Sequence, residues 1–162
     1  MNEANSTSLQ RVLGTFILSL LSSGCGASDG FEYEATGSMA DIEAHIERLI
    51  AGAETGPVLV IQVVNSPDFI QFSAAPRVVQ IDFPLVTPEQ RAREGQIRAF
   101  FMARDLEIIE NYGSDGTRFL DVDLRATAAG VASLTAQAFV ELFGTPSDAA
   151  LNFSGDGLGV AP

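Results

Sequence analysis

With 162 residues and 17.1 kDa, the chain has the size of one domain around one core, which argues against two domains. An apolar content of 46% with a mean hydropathy of +0.21 excludes disorder, and a net charge of −12 excludes a nucleic-acid surface. The nine basic residues are all arginine and are scattered, so no stripe exists to neutralise phosphates; the acidic balance suits solubility or a basic or amphipathic peptide.

Residues 1–25 have the layout of a secretory leader. Arg11 precedes an apolar run, Val12 to Leu21, which is too short to span a bilayer and is followed by Ser22, Ser23, Gly24 and Cys25. LSSGC resembles the bacterial lipobox, which makes Cys25 the candidate lipidation site, although its leucine lies one position further upstream than in that pattern. Glu3 with a single arginine also makes a weak charged region. Two other readings stand beside this one. Leu9, Val12, Leu13, Phe16, Ile17, Leu20 and Leu21 recur at helical spacing, as in an amphipathic helix lying on the domain or on a membrane surface. Alternatively the natural start is Met39. A lone cysteine closes no internal disulfide. Residues 26–38 read as a polar tether.

From there the domain, residues 39–146, is predicted in the order α-βββ-α-ββ-α. Ser38 and Asp41 form a capping pattern ahead of a helix over residues 39–53, with Met39, Ile42, Ile46 and Leu49 on one face. Gly56-Pro57 ends it, and the β-branched run Val58 to Val64 reads as a central strand buried on both faces. Phe69 to Ala74 and Val78 to Leu85 continue an antiparallel meander. In the latter strand Val79, Ile81 and Phe83 share one face and Gln80 and Asp82 the other, so one side alone is expected to need cover. Thr87-Pro88-Glu89-Gln90 is a capping box with proline at the first helical position, opening a second helix that runs to about Arg104.

Leu106 to Tyr112 and Arg118 to Leu124 flank an Asp115-Gly116 turn and form a hairpin. The closing helix, about Ala126 to Phe143, stops at Gly144 with Pro146 beyond it. Residues 147–162 are glycine-rich and read as a flexible tail. The fold class is therefore α+β, an antiparallel sheet with helices packed on it.

No chemistry is spelled out by residue spacing. Asp121 and Asp123 share a strand face that Asp82 could join, but the three lack the oxygen ligands of a calcium or magnesium site, and exposed alternation explains them. His45, the one histidine, follows Asp41 by four residues, which suits a surface ion pair rather than a nucleophile's base. Neither a GxSxG motif nor a P-loop is present. No cofactor, metal or catalytic group is expected, and the chain reads as a non-enzyme.

The helix followed by VLVIQV, the FIQF strand, VVQIDFPL leading into a capped helix, and a last helix ending in ELFGTP together resemble the YbjN and type III secretion chaperone-like superfamily, over Ile42 to Phe153. The resemblance implies a small acidic α+β protein, often a homodimer, that holds peptide segments of partner proteins along its sheet and helices. On that reading Phe69, Phe72 and Phe83 are the candidate peptide-binding residues, and the membrane is reached only through a lipid on Cys25. The leader departs from cytoplasmic secretion chaperones. An envelope lipoprotein without a client, and a cytoplasmic chaperone-like protein starting at Met39, are the alternatives.

Overall fold

The computed structural model describes residues 31–113 and 115–160. In chain order these form β1 (Tyr33–Gly37), a 3-10 turn (Met39–Asp41), α1 (Ile42–Ala51), β2 (Val58–Val63), β3 (Phe69–Ala75) and β4 (Val78–Pro84). Then come α2 (Pro88–Ala92), α3 (Glu94–Met102), β5 (Ile109–Tyr112), β6 (Arg118–Leu124), α4 (Ala128–Phe143) and β7 (Leu151–Asp156). The fold is mixed α+β, with a single seven-stranded sheet in the spatial order β1-β7-β2-β3-β4-β6-β5 and every neighbouring pair antiparallel.

Two strands lie outside the predicted order, and both correct the reading of the segments that hold them. The supposed flexible tail supplies β7, which pairs with β2 on one side and β1 on the other. Its residues alternate as a half-buried strand should: Leu151 and Phe153 are buried at 0% and 1% exposure while Asn152 faces outward. Gly155 belongs there because of close approach, not mobility. A Cβ at that position would lie 2.4 Å from the Val58 carbonyl oxygen. Beyond the strand, the Gly159 amide donates to the Arg48 carbonyl at 2.9 Å and ties the chain end to α1. The supposed tether supplies β1, with Tyr33 and Ala35 packed on the core and Glu34 and Thr36 exposed. The rest of that tether, before Phe31, and the leader lie outside the described residues.

The capping box at Thr87 forms as its sequence requires: the Gln90 amide donates to Thr87 Oγ1 at 3.2 Å, and Gln90 Oε1 accepts from the Thr87 amide at 3.0 Å. The single helix expected after it is divided at Arg93, whose amide bonds three residues back to Gln90 in a tightened turn. Gly95, just beyond, has no side chain to hold a straight helix together. α4 begins on a Thr87-like cap, Thr127, and ends on Gly144 in the left-handed region at φ 67.

The core lies between the sheet and α1, α3 and α4. Leu59, Ile61, Ile70, Phe72, Ile81, Phe83, Leu120, Val122 and Phe153 point into it from the strands. Ile42, Ile46 and Leu49 enter from α1, Phe100 and Phe101 from α3, and Val131, Phe139 and Leu142 from α4. Each fully buried large side chain contributes about 1.5–3 kcal/mol by leaving water. Phe72, at 0% exposure, is one of these and presents no surface to a partner.

Candidate functional site

Phe69 and Phe83 are brought together at one end of the sheet, where the first residues of β3 and the last of β4 meet α2, α3 and the end of α4. They line a groove of about 230 Å³ whose other apolar walls are Pro67, Pro84, Ile97 and Phe143. Phe83 reaches it from the core, where it meets Phe101 edge-on at 5.6 Å. The Thr87 cap fixes how α2 leaves β4, and Arg93 latches the far side. Its guanidinium pairs with Asp68 and lies 4.9 Å from the centre of the Phe143 ring. Asp68 and Glu89 form an acidic rim. Hydrogen bonds from its own backbone amide and from the Thr87 hydroxyl hold the Glu89 carboxyl below the usual range, so Glu89 brings a negative charge to the rim while Asp68 is paired with Arg93. Hydrocarbon walls with a charged rim hold an apolar side chain by burial and orient whatever flanks it. Clefts for drug-sized ligands run about 300–1,000 Å³, so this one suits one or two side chains of a chain segment. Phe72 is not part of it.

The second arrangement lies on the sheet face away from the helices. Register places Val60, Gln71, Asp82 and Asp121 side by side across β2, β3, β4 and β6. This face was expected to be open at Asp82, and it is not: Asp82 is 1% exposed and Asp121 4%. Burial raises the Asp82 carboxyl well above its ordinary range, and the charges of Asp121 and Asp123 push it further. Two carboxyls this close and this enclosed do not both ionise readily, so the pair favours a protonated Asp82 more than an ordinary surface aspartate would be. Asp121 is raised too, by burial, against the opposing effect of a hydrogen bond from Asn111. Asp123 does not join this pair. It is exposed and accepts from Gln80 Nε2 at 2.9 Å. Among the described residues no group of three or more His, Cys, Asp or Glu side chains is placed to hold a metal ion.

His45 was expected at the surface beside Asp41. It is 8% exposed instead, stacked on Phe153 at 3.7 Å and hydrogen-bonded through Nδ1 to the Tyr33 hydroxyl at 3.1 Å. Both partners come from β1 and β7, the two strands absent from the predicted order, which is why the histidine read as exposed. Burial lowers its pKa below the usual 6.5, Asp41 opposes this and Arg48 adds to it. At the opposite sheet edge, Arg98 and Arg118 share Glu94 and Glu110 in an exposed ion network beside β5, whose Ile109 and Tyr112 are 38% and 57% exposed.

Cys25 lies outside the described residues. Among the described ones, no helix is long and apolar enough to cross a membrane. No family model, curated protein or solved structure matches the chain.

Proposed function

We propose that this protein is a non-enzymatic binding module of the YbjN and type III secretion chaperone-like kind, which holds a peptide segment of a partner protein. The observation that carries this reading is the groove that gathers Phe69 and Phe83 with Ile97 and Phe143 under an acidic rim. An extended segment with one apolar anchor and a neighbouring Arg or Lys matches it: the anchor is buried and the cation meets Glu89. β5 is the last strand of the sheet among the described residues, and its exposed Ile109 and Tyr112 offer a second copy apolar contact beside it, so the working form is a homodimer.

A start at Met39 fits this molecule poorly, because it would delete β1 and leave β7 as an edge. A client-free structural protein is the second reading. It is favoured by the burial of Phe72, Phe100, Phe101, Phe139 and Phe153 in the protein's own interior. Selection from a random peptide display library separates the two. Enrichment by the wild-type chain that disappears with Phe69→Ser supports the binding module, and enrichment no greater than on bare matrix supports the structural protein.

A further inference from the structure

One transverse row of the helix-free face shows a pattern of exposure that its own fold does not explain. Following register across all seven strands, the row reads Glu34, Ser154, Val60, Gln71, Asp82, Asp121, Ile109. Its ends are open: Glu34 is exposed and Ile109 is 38% exposed. Its middle is sealed, with Val60, Gln71 and Asp82 at 1% and Asp121 at 4%. Val58, Ser73 and Phe119 beside it are sealed as well, at 2%, 0% and 6%. Yet α1, α3 and α4 all spend their buried side chains on the opposite face, and α2 buries none. A rod-shaped zone running across the strands is thus shielded from water with no described element over it.

The chemistry of the sealed zone says what kind of surface shields it. Both polar atoms of the Gln71 side chain, both Asp82 oxygens and Asp121 Oδ1 are buried and find no hydrogen-bond partner among the described residues. A polar or basic segment would satisfy such groups, whereas an apolar one leaves them unpaired, as they are here. The chain owns an apolar segment of the right form. Leu9, Val12, Leu13, Phe16, Ile17, Leu20 and Leu21 fall on one helical face, and Arg11 and Thr15 fall on the other. As a helix, residues 9–21 measure about 20 Å. The sealed strands β2, β3, β4 and β6 span three spacings, about 14 Å. Residues 22–32 can reach roughly 36 Å when extended, and the way from β1 to β2 is two spacings, about 10 Å.

We propose that residues 9–21 of this same chain dock across the helix-free face as an apolar cover over Val60, Gln71, Asp82 and Asp121. The sheet is then sandwiched between helices on both sides, and the segment acts as an internal ligand, not as a discarded leader. The two roles are mutually exclusive, since a leader cleaved ahead of Cys25 cannot cover anything. This inference does not depend on the groove at Phe69, which lies at the ends of β3 and β4, beyond the sealed row.

The test uses the full chain with Leu18→Cys and Cys25→Ser, spin-labelled at position 18, which faces away from the apolar stripe. Amide signals of Val60, Gln71 and Asp82 should broaden strongly, those of α4 less, because α4 lies across the sheet. Little or no broadening at Gln71 and Asp82 overturns the proposal. So does broadening that grows with protein concentration, which would make a second copy the cover. A second variant, Phe16→Asp, should shift the Gln71 and Asp82 resonances while Arg11→Glu leaves them in place; equal spectra for both variants overturn it. Mass spectrometry of protein made in a bacterial host gives the last arm: an N-terminus at acylated Cys25 overturns it, and an intact Met1 end is the expected result.

Discussion

Replacing Phe153 by alanine is the most searching test of where β7 belongs. The side chain is 1% exposed, lies on a strand with partners on both sides, and stacks on His45 at 3.7 Å. Removing a ring so enclosed loses its transfer energy and leaves a cavity bordered by β1, β2 and α1, which costs about 3–5 kcal/mol. Domains of this size hold roughly 5–15 kcal/mol in all, so at least about a fifth of the stability should go. The melting midpoint should fall by roughly 10–20 °C. The chain has no tryptophan, so urea unfolding is best followed by far-ultraviolet circular dichroism. The control is Asn152→Ala, one residue away and outward-facing, which should change stability by no more than about 0.5 kcal/mol. A Phe153→Ala loss below about 1 kcal/mol, the size of a surface substitution, would refute the placement of this strand in the sheet interior.

Three further outcomes follow from the buried titrating groups and the β5 edge. The folded-state pKa of His45 is lowered, so between that value and 6.5 the unfolded chain binds more protons; stability is complete above 6.5 and falls as pH drops through the lowered value. His45→Gln should flatten that part of a stability–pH curve measured by urea unfolding, and an unchanged slope would contradict the buried placement. Asp82 behaves in the opposite sense: its raised folded-state pKa means full stability below 3.8 and a decline as pH rises through the raised value. Asp82→Asn should remove that decline, and a variant curve parallel to the wild type would show that Asp82 is ionised in water. Ile109→Lys places a charge on the β5 edge and should convert a dimer to a monomer by sedimentation velocity, without loss of the folded signal; a wild type that sediments as a monomer would refute the pairing.

Those elements whose signals were local could be read from the residues alone. The Thr87-Pro88-Gln90 box, the Val58 run, the Asp115-Gly116 hairpin and the Gly144 stop each depend on contacts within a few positions, and each appears in the structure. The strands at the two ends were hidden for a shared reason. β1 and β7 are short, pair chiefly with each other and β2, and are separated by more than a hundred residues in sequence. The Leu151, Phe153 alternation was present, yet surrounding glycines and aspartates gave it the composition of a tail. Gly155 is required by the nearness of the Val58 carbonyl, and that nearness is a tertiary fact. The candidate site was partly readable. Phe69 and Phe83 do meet, but Ile97 and Phe143 join them through helix packing that no spacing announces, while Phe72 follows strand alternation into the core.

The claim that this molecule works by holding a peptide rests on where such a peptide lands. A two-dimensional amide spectrum of the isotope-labelled full chain, titrated with the best library-selected peptide, measures it. The account predicts saturable shifts clustered at Phe69, Phe83, Ile97 and Phe143, abolished by Phe69→Ser in a chain that remains folded. Shifts confined to the β5 edge or to the helix-free face, or a titration unaffected by Phe69→Ser, would contradict it.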